Sequence, residues 1–215
     1  MSNYTGILDP QPGNLAFALF DGDALIFNVN CPMHGRDAAI LPDFIAEKLA
    51  DKSLKINDIK KWTIGSGPGS FTFLRLVAAL AAGWKFADDS MQFRCVPGAI
   101  ALAGACSCVP GEKIGVLYDG RNQEILYFGV INRDGFLESS GETAVLNREQ
   151  CVDFFSGRQE KLICFECEKS AVEAILPESV TVTAVTPCPE ALAANRSVPY
   201  DNDLDNLVYI RPAVV

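Results

Sequence analysis

Histidine is almost missing from this chain: His34 is the only one among 215 residues. A helical HxxxH zinc pair is therefore excluded, and a Ser-His-Asp hydrolase would have to use His34 as its base. That residue follows a Pro-Met turn, just ahead of the first long helical pattern and with no hydroxyl near it in sequence, and it reads as a surface or capping imidazole. Basic charge is also short. Eighteen Lys and Arg face 27 Asp and Glu, a net charge of −9 and a pI near 4.6, which argues against a free-standing nucleic-acid binder, since phosphate neutralisation needs a basic face. No long apolar run exists either. The greasiest stretch, Leu76 to Trp84, is bracketed by Arg75 and Lys85 and is too short for a bilayer core of about 30 Å. The start, Met1-Ser2-Asn3-Tyr4-Thr5, has neither a basic region nor an apolar one, so no signal peptide is expected and the cytoplasm is the expected location.

What is present suits a globular chain. Hydrophobic residues make up 49%, enough for the core of one large domain or two small lobes. The acid is uneven: residues 1–110 hold 9 Lys and Arg against 10 Asp and Glu, residues 111–215 hold 9 against 17. A packed, desolvated contact is therefore expected on the front half. Of the eight cysteines, Cys164 and Cys167 form a CxxC, but on a strand read over Lys161 to Glu166 positions three apart point to opposite faces. With no second CxxC, no metal site is expected, and buried free thiols are the simpler reading.

Hydrophobic spacing gives an element order that occurs twice. In the first half come a short strand Gly6 to Asp9 ending on an acid and followed by the turn Pro10-Gln-Pro-Gly13, then strands Asn14 to Phe20 and Ala24 to Asn30 around Asp21-Gly22-Asp23. A helix follows over Asp37 to Asp51, then strand Trp62 to Gly65, helix Phe71 to Ala87, strand Phe93 to Val96 and a small-residue helix Gly98 to Val109. In the second half, strand Lys113 to Asp119 again ends on an acid. Strands Glu124 to Asn132 and Leu137 to Leu146 follow, then helix Asn147 to Phe155, strand Lys161 to Glu166, helix Glu168 to Leu176, strand Val180 to Val185 and helix Pro189 to Asn195. The repeat predicts a duplicated two-lobe α/β fold, with mixed sheets flanked by helices, divided into lobes 1–110 and 111–215. This is the plan of actin, Hsp70 and the sugar kinases, in the wider RNase H-like group, where turns after the first strand of each lobe hold nucleotide phosphates. Asp9 and Asp119 occupy those places.

The phosphate chemistry is poorly supported. The turn after Asp9 contains Pro10 and Pro12, each removing a backbone donor; the turn Asp119-Gly120-Arg121-Asn122 is roomier, but one competent turn is half a clamp. The Gly-rich corner Ser66-Gly67-Pro68-Gly69-Ser70-Phe71-Thr72 has Gly69 where a Walker loop needs Lys, and Pro68 and Thr72 where a nucleophile elbow on Ser70 needs glycines. It reads as a tight strand-to-helix corner with Ser70 as cap. The positive signal lies in the helices. On helix 71–87, Phe73, Val77, Leu80 and Trp84 form one apolar stripe and Leu76, Ala79, Gly83 and Phe86 another; on helix 37–51, Ile40 and Phe44 lie off the stripe of Ala38, Leu41, Ile45 and Leu49. Either these helices are sandwiched within the chain or a partner covers them.

Ser66-Gly-Pro-Gly-Ser-Phe-Thr-Phe-Leu-Arg75, behind the strand Trp62 to Gly65, resembles the GPGSFTGLR signature of the bacterial TsaB family. Leu8-Asp9 before a hairpin, His34 followed by Ile40-Leu41-Pro42, Tyr118-Asp119-Gly-Arg121-Asn-Gln-Glu124 followed by Tyr127, and Tyr209-Ile210-Arg211-Pro212 are similar to further segments of that family. The resemblance covers nearly the whole chain. It implies a cytoplasmic pseudoenzyme with no catalytic residues, metal or resident cofactor, a nucleotide being conceivable only at a shared interface, and with Asp9, Asp119 and Arg121 as vestiges of nucleotide turns. The implied role is a scaffold that binds and activates the catalytic paralogue TsaD for N6-threonylcarbamoyladenosine modification of tRNA. A TsaE-like ATPase joins the complex, tRNA is met only indirectly, and the chain forms a homodimer when alone. The implied docking residues are Ile40, Leu41, Phe44, Ile45, Phe73, Leu76, Val77, Ala79, Leu80, Gly83 and Trp84, beside the signature residues Gly67, Pro68, Gly69, Ser70, Phe71, Thr72 and Arg75. Departures are Phe73 for the signature's Gly, Gly120 for Ala, and the prolines at 10 and 12. The alternatives are a nucleotide-dependent transferase or kinase of the same fold using Asp9 and Asp119, and a peptidase.

Overall fold

A computed structural model describes residues 3–33, 37–68, 71–201 and 204, the side chains of Asp37, Ala38 and Phe71 excepted. It contains two compact units. The first runs to Gly98 and takes the chain back from Leu192; the second spans Ala99–Ala191.

In the first unit, β1 (Tyr4–Gln11), β2 (Asn14–Asp21) and β3 (Ala24–Pro32) form an antiparallel meander. Two parallel strands, β4 (Lys61–Gly65) and β5 (Gln92–Val96), extend it beside β1, giving the order β3-β2-β1-β4-β5. Gly13 and Gly22, at φ +69° and +58°, sit in the two tight hairpin turns, where a left-handed residue matches the twist of the strands. Strand β2 presents Leu15, Phe17 and Leu19 on one face and Ala16, Ala18 and Phe20 on the other, all buried, so it reads as an unbroken apolar run rather than an alternating one.

Two helices lie over the Leu15-Phe17-Leu19 face. A 3-10 turn, Asp37–Ile40, leads into α1 (Leu41–Ala50), whose Pro42 falls in the first turn, where no N–H partner is needed. Helix α2 (Phe71–Ala87) has the limits read from sequence. Leu41, Ile45 and Leu49 from α1 and Val77 and Ala81 from α2 join Trp62, Ile64 and Phe93 in one cluster. Trp62 is accommodated because residue 6 is glycine: a Cβ there would lie 2.4 Å from its ring.

The second unit repeats the plan. Strands β6 (Lys113–Asp119), β7 (Glu124–Arg133) and β8 (Phe136–Asn147) form the meander, β9 (Lys161–Phe165) and β10 (Thr183–Val185) the parallel extension, in the order β10-β9-β6-β7-β8. Helix α3 (Ala99–Ala103) packs on this sheet, every residue buried. Helices α4 (Arg148–Phe155) and α5 (Lys169–Glu173) cover the face presenting Leu117, Tyr127 and Cys164. Asn147 caps α4 through a reciprocal pair with Gln150. The last helix, α6 (Pro189–Ala193), leads the chain back to the first unit. The duplicated two-lobe architecture is thus present strand for strand.

Several readings need correction. Helix 98–109 shrinks to Ala99–Ala103: after Gly104 the bonds tighten to three-residue turns, Ala105 N–H donating to Leu102 O and Cys106 N–H to Ala103 O. Asp9 does not end β1. Pairing with β4 stops at Leu8, so Pro10 faces no unmet donor requirement and the ladder with β2 continues to Gln11. Of the eight cysteines, which form no disulfide, Cys31, Cys95, Cys151 and Cys164 are buried, whereas Cys167 is exposed and Cys106, Cys108 and Cys188 are half-buried. Among the described residues no helix is long and apolar enough to cross a membrane.

Candidate functional site

The acid of the first lobe is sealed. Asp9 is 3% exposed; its Oδ2 accepts a hydrogen bond from Gln11 Nε2 at 3.0 Å, and its Oδ1 is buried without a partner. That oxygen fits only because residues 65 and 98 are glycines, where a Cβ would come within 2.0 and 2.8 Å of it. Burial pushes its carboxyl up to about 6, with the Gln11 hydrogen bond opposing. Around it the strand ends meet in a close corner. Ser66 N–H donates to Val96 O and Gly98 N–H to Gly67 O, both at 2.8 Å, and Ser66 Oγ is buried without a partner. Gly67 and Pro68 are themselves buried. A carboxylate so enclosed is not offered to a ligand.

The matching acid of the second lobe is more open but committed to its own turn. Asp119 Oδ1 accepts from Arg121 N–H at 2.8 Å, Gly120 N–H donates to Glu124 O, and Glu124 N–H donates to Arg121 O. Arg121, Asn122 and Gln123 follow in left-handed conformation. Gly120 has a local cause: a Cβ there would lie 2.8 Å from Glu124 O, so the turn closes more tightly than an alanine would allow. The N–H groups of residues 120, 121 and 124 are therefore spent internally, and the turn does not fit a phosphate clamp, which needs them free. Sequence reasoning missed one neighbour, Glu168. Burial is the main reason its carboxyl rises to about 7; the backbone N–H of Asp119 lowers it, the Asp119 charge raises it and Arg121 lowers it. It follows β9, the strand beside β6, so the doubled strand order was the signal that could have found it. Among the described residues no group of three or more His, Cys, Asp or Glu could hold a metal ion.

A cavity of about 590 Å³ opens in the second unit, lined by Phe155, Arg158, Glu160, Leu162 and Val180. Arg158 there is ion-paired with both Glu142 and Glu160 and donates to Phe154 O, so it presents no unengaged cation to an anionic ligand.

The helical face is different, because its outward residues are unengaged. Along α2, Thr72, Arg75, Ala79, Ala82, Gly83 and Phe86 are exposed, a helical succession in which only Arg75 is charged. Phe86 is 95% exposed, and a Cβ added at Gly83 would meet nothing within 4 Å. Ile40, ahead of α1, is 50% exposed. Phe44, Phe73, Leu76, Leu80 and Trp84 are half-buried, each packed against the lobe's own cluster; Trp84 sits 4.6 Å from Trp62, ring to ring. Leu41, Ile45 and Val77 are buried completely in that cluster. The structure thus gathers the expected residues around one core but leaves only part of them reachable. Gly69, Ser70, the Phe71 side chain, His34 and Tyr209–Pro212 lie outside what is described.

Residues 36–182 match the model of the family described as TsaD, tRNA N6-adenosine threonylcarbamoyltransferase. Among solved structures, an uncharacterized protein with similarity to peptidase YeaZ from Pseudomonas aeruginosa is similar at 18% identity, covering 97% of this chain and all of that one, with a TM-score of 0.74. YeaZ from Pseudomonas aeruginosa is similar at 19% identity over 89% of each chain, with a TM-score of 0.67. No curated protein matches the sequence. At such identities the structures establish the fold, and the family match spans more than half of the sequence. The chain belongs to the TsaD family, tRNA N6-adenosine threonylcarbamoyltransferase, and shares the fold of YeaZ from Pseudomonas aeruginosa.

Proposed function

We propose that this chain is a non-catalytic subunit that binds and activates a TsaD-type catalytic subunit for N6-threonylcarbamoyladenosine modification of tRNA. The observation that carries the reading is the outward face of α2, small residues ending on a phenylalanine 95% exposed. Small side chains let a second helix approach closely, and a lone exposed ring invites cover. The reachable docking set is Ile40, Ala79, Gly83 and Phe86 with the edges of Phe44, Leu76, Leu80 and Trp84, whereas Leu41, Ile45 and Val77 support the face from beneath. The sealed Asp9 and the self-satisfied Asp119 turn favour a scaffold over a nucleotide enzyme, and the acidic surface favours tRNA contact through the partner. A TsaE-type ATPase is the third component of this reading, and the same α2 face would join two copies when the partner is missing.

The test is to mix the purified chain with the TsaD-type subunit of the same cell and measure the mass of the product. A one-to-one complex that Ala79→Glu disrupts supports the proposal; two independent monomers at micromolar concentration end it. Titration with ATP and magnesium addresses the rival enzyme, which requires binding heat that Asp119→Ala abolishes.

A further inference from the structure

Two thiols meet in the irregular segment between α3 and β6. Cys106 and Cys108 flank the exposed Ser107; both are half-buried, and neither belongs to a helix or strand. Cα atoms two positions apart lie about 5–7 Å from each other in any backbone conformation, which overlaps the roughly 4.4–6.8 Å that a disulfide spans. Burial raises the Cys108 thiol most and the charge of Cys106 adds to the rise, so the two sulfurs lie within electrostatic reach of each other. The peptide that joins them is held from both sides: Lys161 Nζ donates to Ser107 O and Asn132 Nδ2 to Cys108 O, each at 2.6 Å. The CxxC offers no such pair, because Cys164 is buried in β9 and Cys167 is exposed.

We propose that Cys106 and Cys108 are a reversible redox pair, which closes an intramolecular disulfide by exchange with a small disulfide of the glutathione type. The Cys108 thiol donates to Glu112 O at 3.5 Å, so Cys106 is the freer of the two and reacts first. It loses its proton to solvent, and its thiolate attacks one sulfur of oxidised glutathione, leaving a mixed disulfide and expelling one glutathione thiolate. The Cys108 thiolate then attacks Sγ of Cys106 and expels the second. The chain gives up two protons and two electrons, and one glutathione disulfide becomes two thiols. Burial pushes both thiols up; Lys161 favours both thiolates, and Glu112, its ion-pair partner at 3.1 Å, opposes them. Exchange is therefore slow near neutral pH and quickens as pH rises. A ring closed over one intervening residue is strained, so reduced glutathione reopens the bond and it is no permanent cross-link. Closure also takes the Cys108 thiol off Glu112 O, which loosens residues 106–112.

The test places the full, reduced chain in oxidised glutathione, follows its mass, and locates the remaining thiols by alkylation and digestion. The unmodified chain should lose two hydrogens, with Cys106 and Cys108 together escaping alkylation, and dithiothreitol should restore both. The rate should climb about tenfold between about pH 7 and 8, as the thiolate fraction does. Cys108→Ser should stop at a glutathione adduct on Cys106, the first step without its resolution. Amide exchange over residues 106–112 should quicken in the oxidised, unmodified chain. Adducts confined to the exposed Cys167, with Cys106 and Cys108 both still alkylated, overturn the proposal. So does a bond that joins either of them to another cysteine, or a Cys108→Ser chain that still loses two hydrogens.

Discussion

Arg94 is the residue on which the integrity of the first unit most visibly depends. It lies in β5, 5% exposed, and burial lowers its guanidinium below the usual arginine range, with no carboxylate among the described residues paired to it. Neutral acceptors surround it instead. Nε donates to Thr63 Oγ1 at 2.9 Å, Nη2 to Leu192 O and Ala193 O at 2.9 Å each, and Nη1 to Asn195 O and, more weakly, to Val198 O at 3.4 Å. The Tyr200 ring lies 4.5 Å from its central carbon. Arg94→Met keeps most of the apolar stem and removes every donor. Hydrogen bonds to a charged group contribute about 1.5–3 kcal/mol each, but these share one segment and cannot simply be added. The released segment recovers hydration of its carbonyls, which bounds the loss at about 3–4 kcal/mol. Urea unfolding followed by tryptophan fluorescence reads this directly, since both Trp62 and Trp84 belong to that unit. Amide exchange over residues 192–200 should accelerate in parallel. A loss below about 1 kcal/mol, or exchange unchanged in that segment, refutes the reasoning.

Asp9 predicts a pH dependence. Its folded value near 6 lies above the ordinary 3.8, so between those values the folded chain holds the proton more tightly than the unfolded one. Stability should therefore fall as pH rises through that window, by about 3 kcal/mol in total. Asp9→Asn should flatten the profile and be the more stable protein at pH 8; an unaltered slope between pH 4 and 7 contradicts this. Gly120→Ala should cost about 1–3 kcal/mol, because its Cβ meets Glu124 O at 2.8 Å, and calorimetry showing no change would remove that cause for the glycine. Leu80→Glu should destabilise the chain, since Leu80 packs on the core, whereas Ala79→Glu should leave the melting curve unchanged at concentrations low enough to keep the chain monomeric.

Much of the fold was legible in local pattern. The doubled strand-helix order and the limits of α2 and β6 follow from hydrophobic periodicity, which acts over a few residues. What was not legible acts over long separations. Arg94 is one polar residue in a short strand, and nothing near it announces that most of its partners lie about a hundred positions on. Asp9 looked like a strand end because two prolines follow, yet proline is harmless where no neighbour asks for its N–H. The helical surplus was real, but sequence could not apportion it. Leu41, Ile45 and Val77 went to the chain's own core, whereas Ile40, Ala79, Gly83 and Phe86 stayed outside.

The most direct measurement is the affinity of the chain for a TsaD-type catalytic subunit, taken by calorimetry with the unmodified protein, Ala79→Glu and Arg75→Glu. A carboxylate buried without a partner costs several kcal/mol, whereas an exposed charge reversal costs little. The account predicts a one-to-one complex weakened about 100-fold or more by Ala79→Glu and only slightly by Arg75→Glu. No binding by the unmodified chain, or equal loss from both variants, would contradict it.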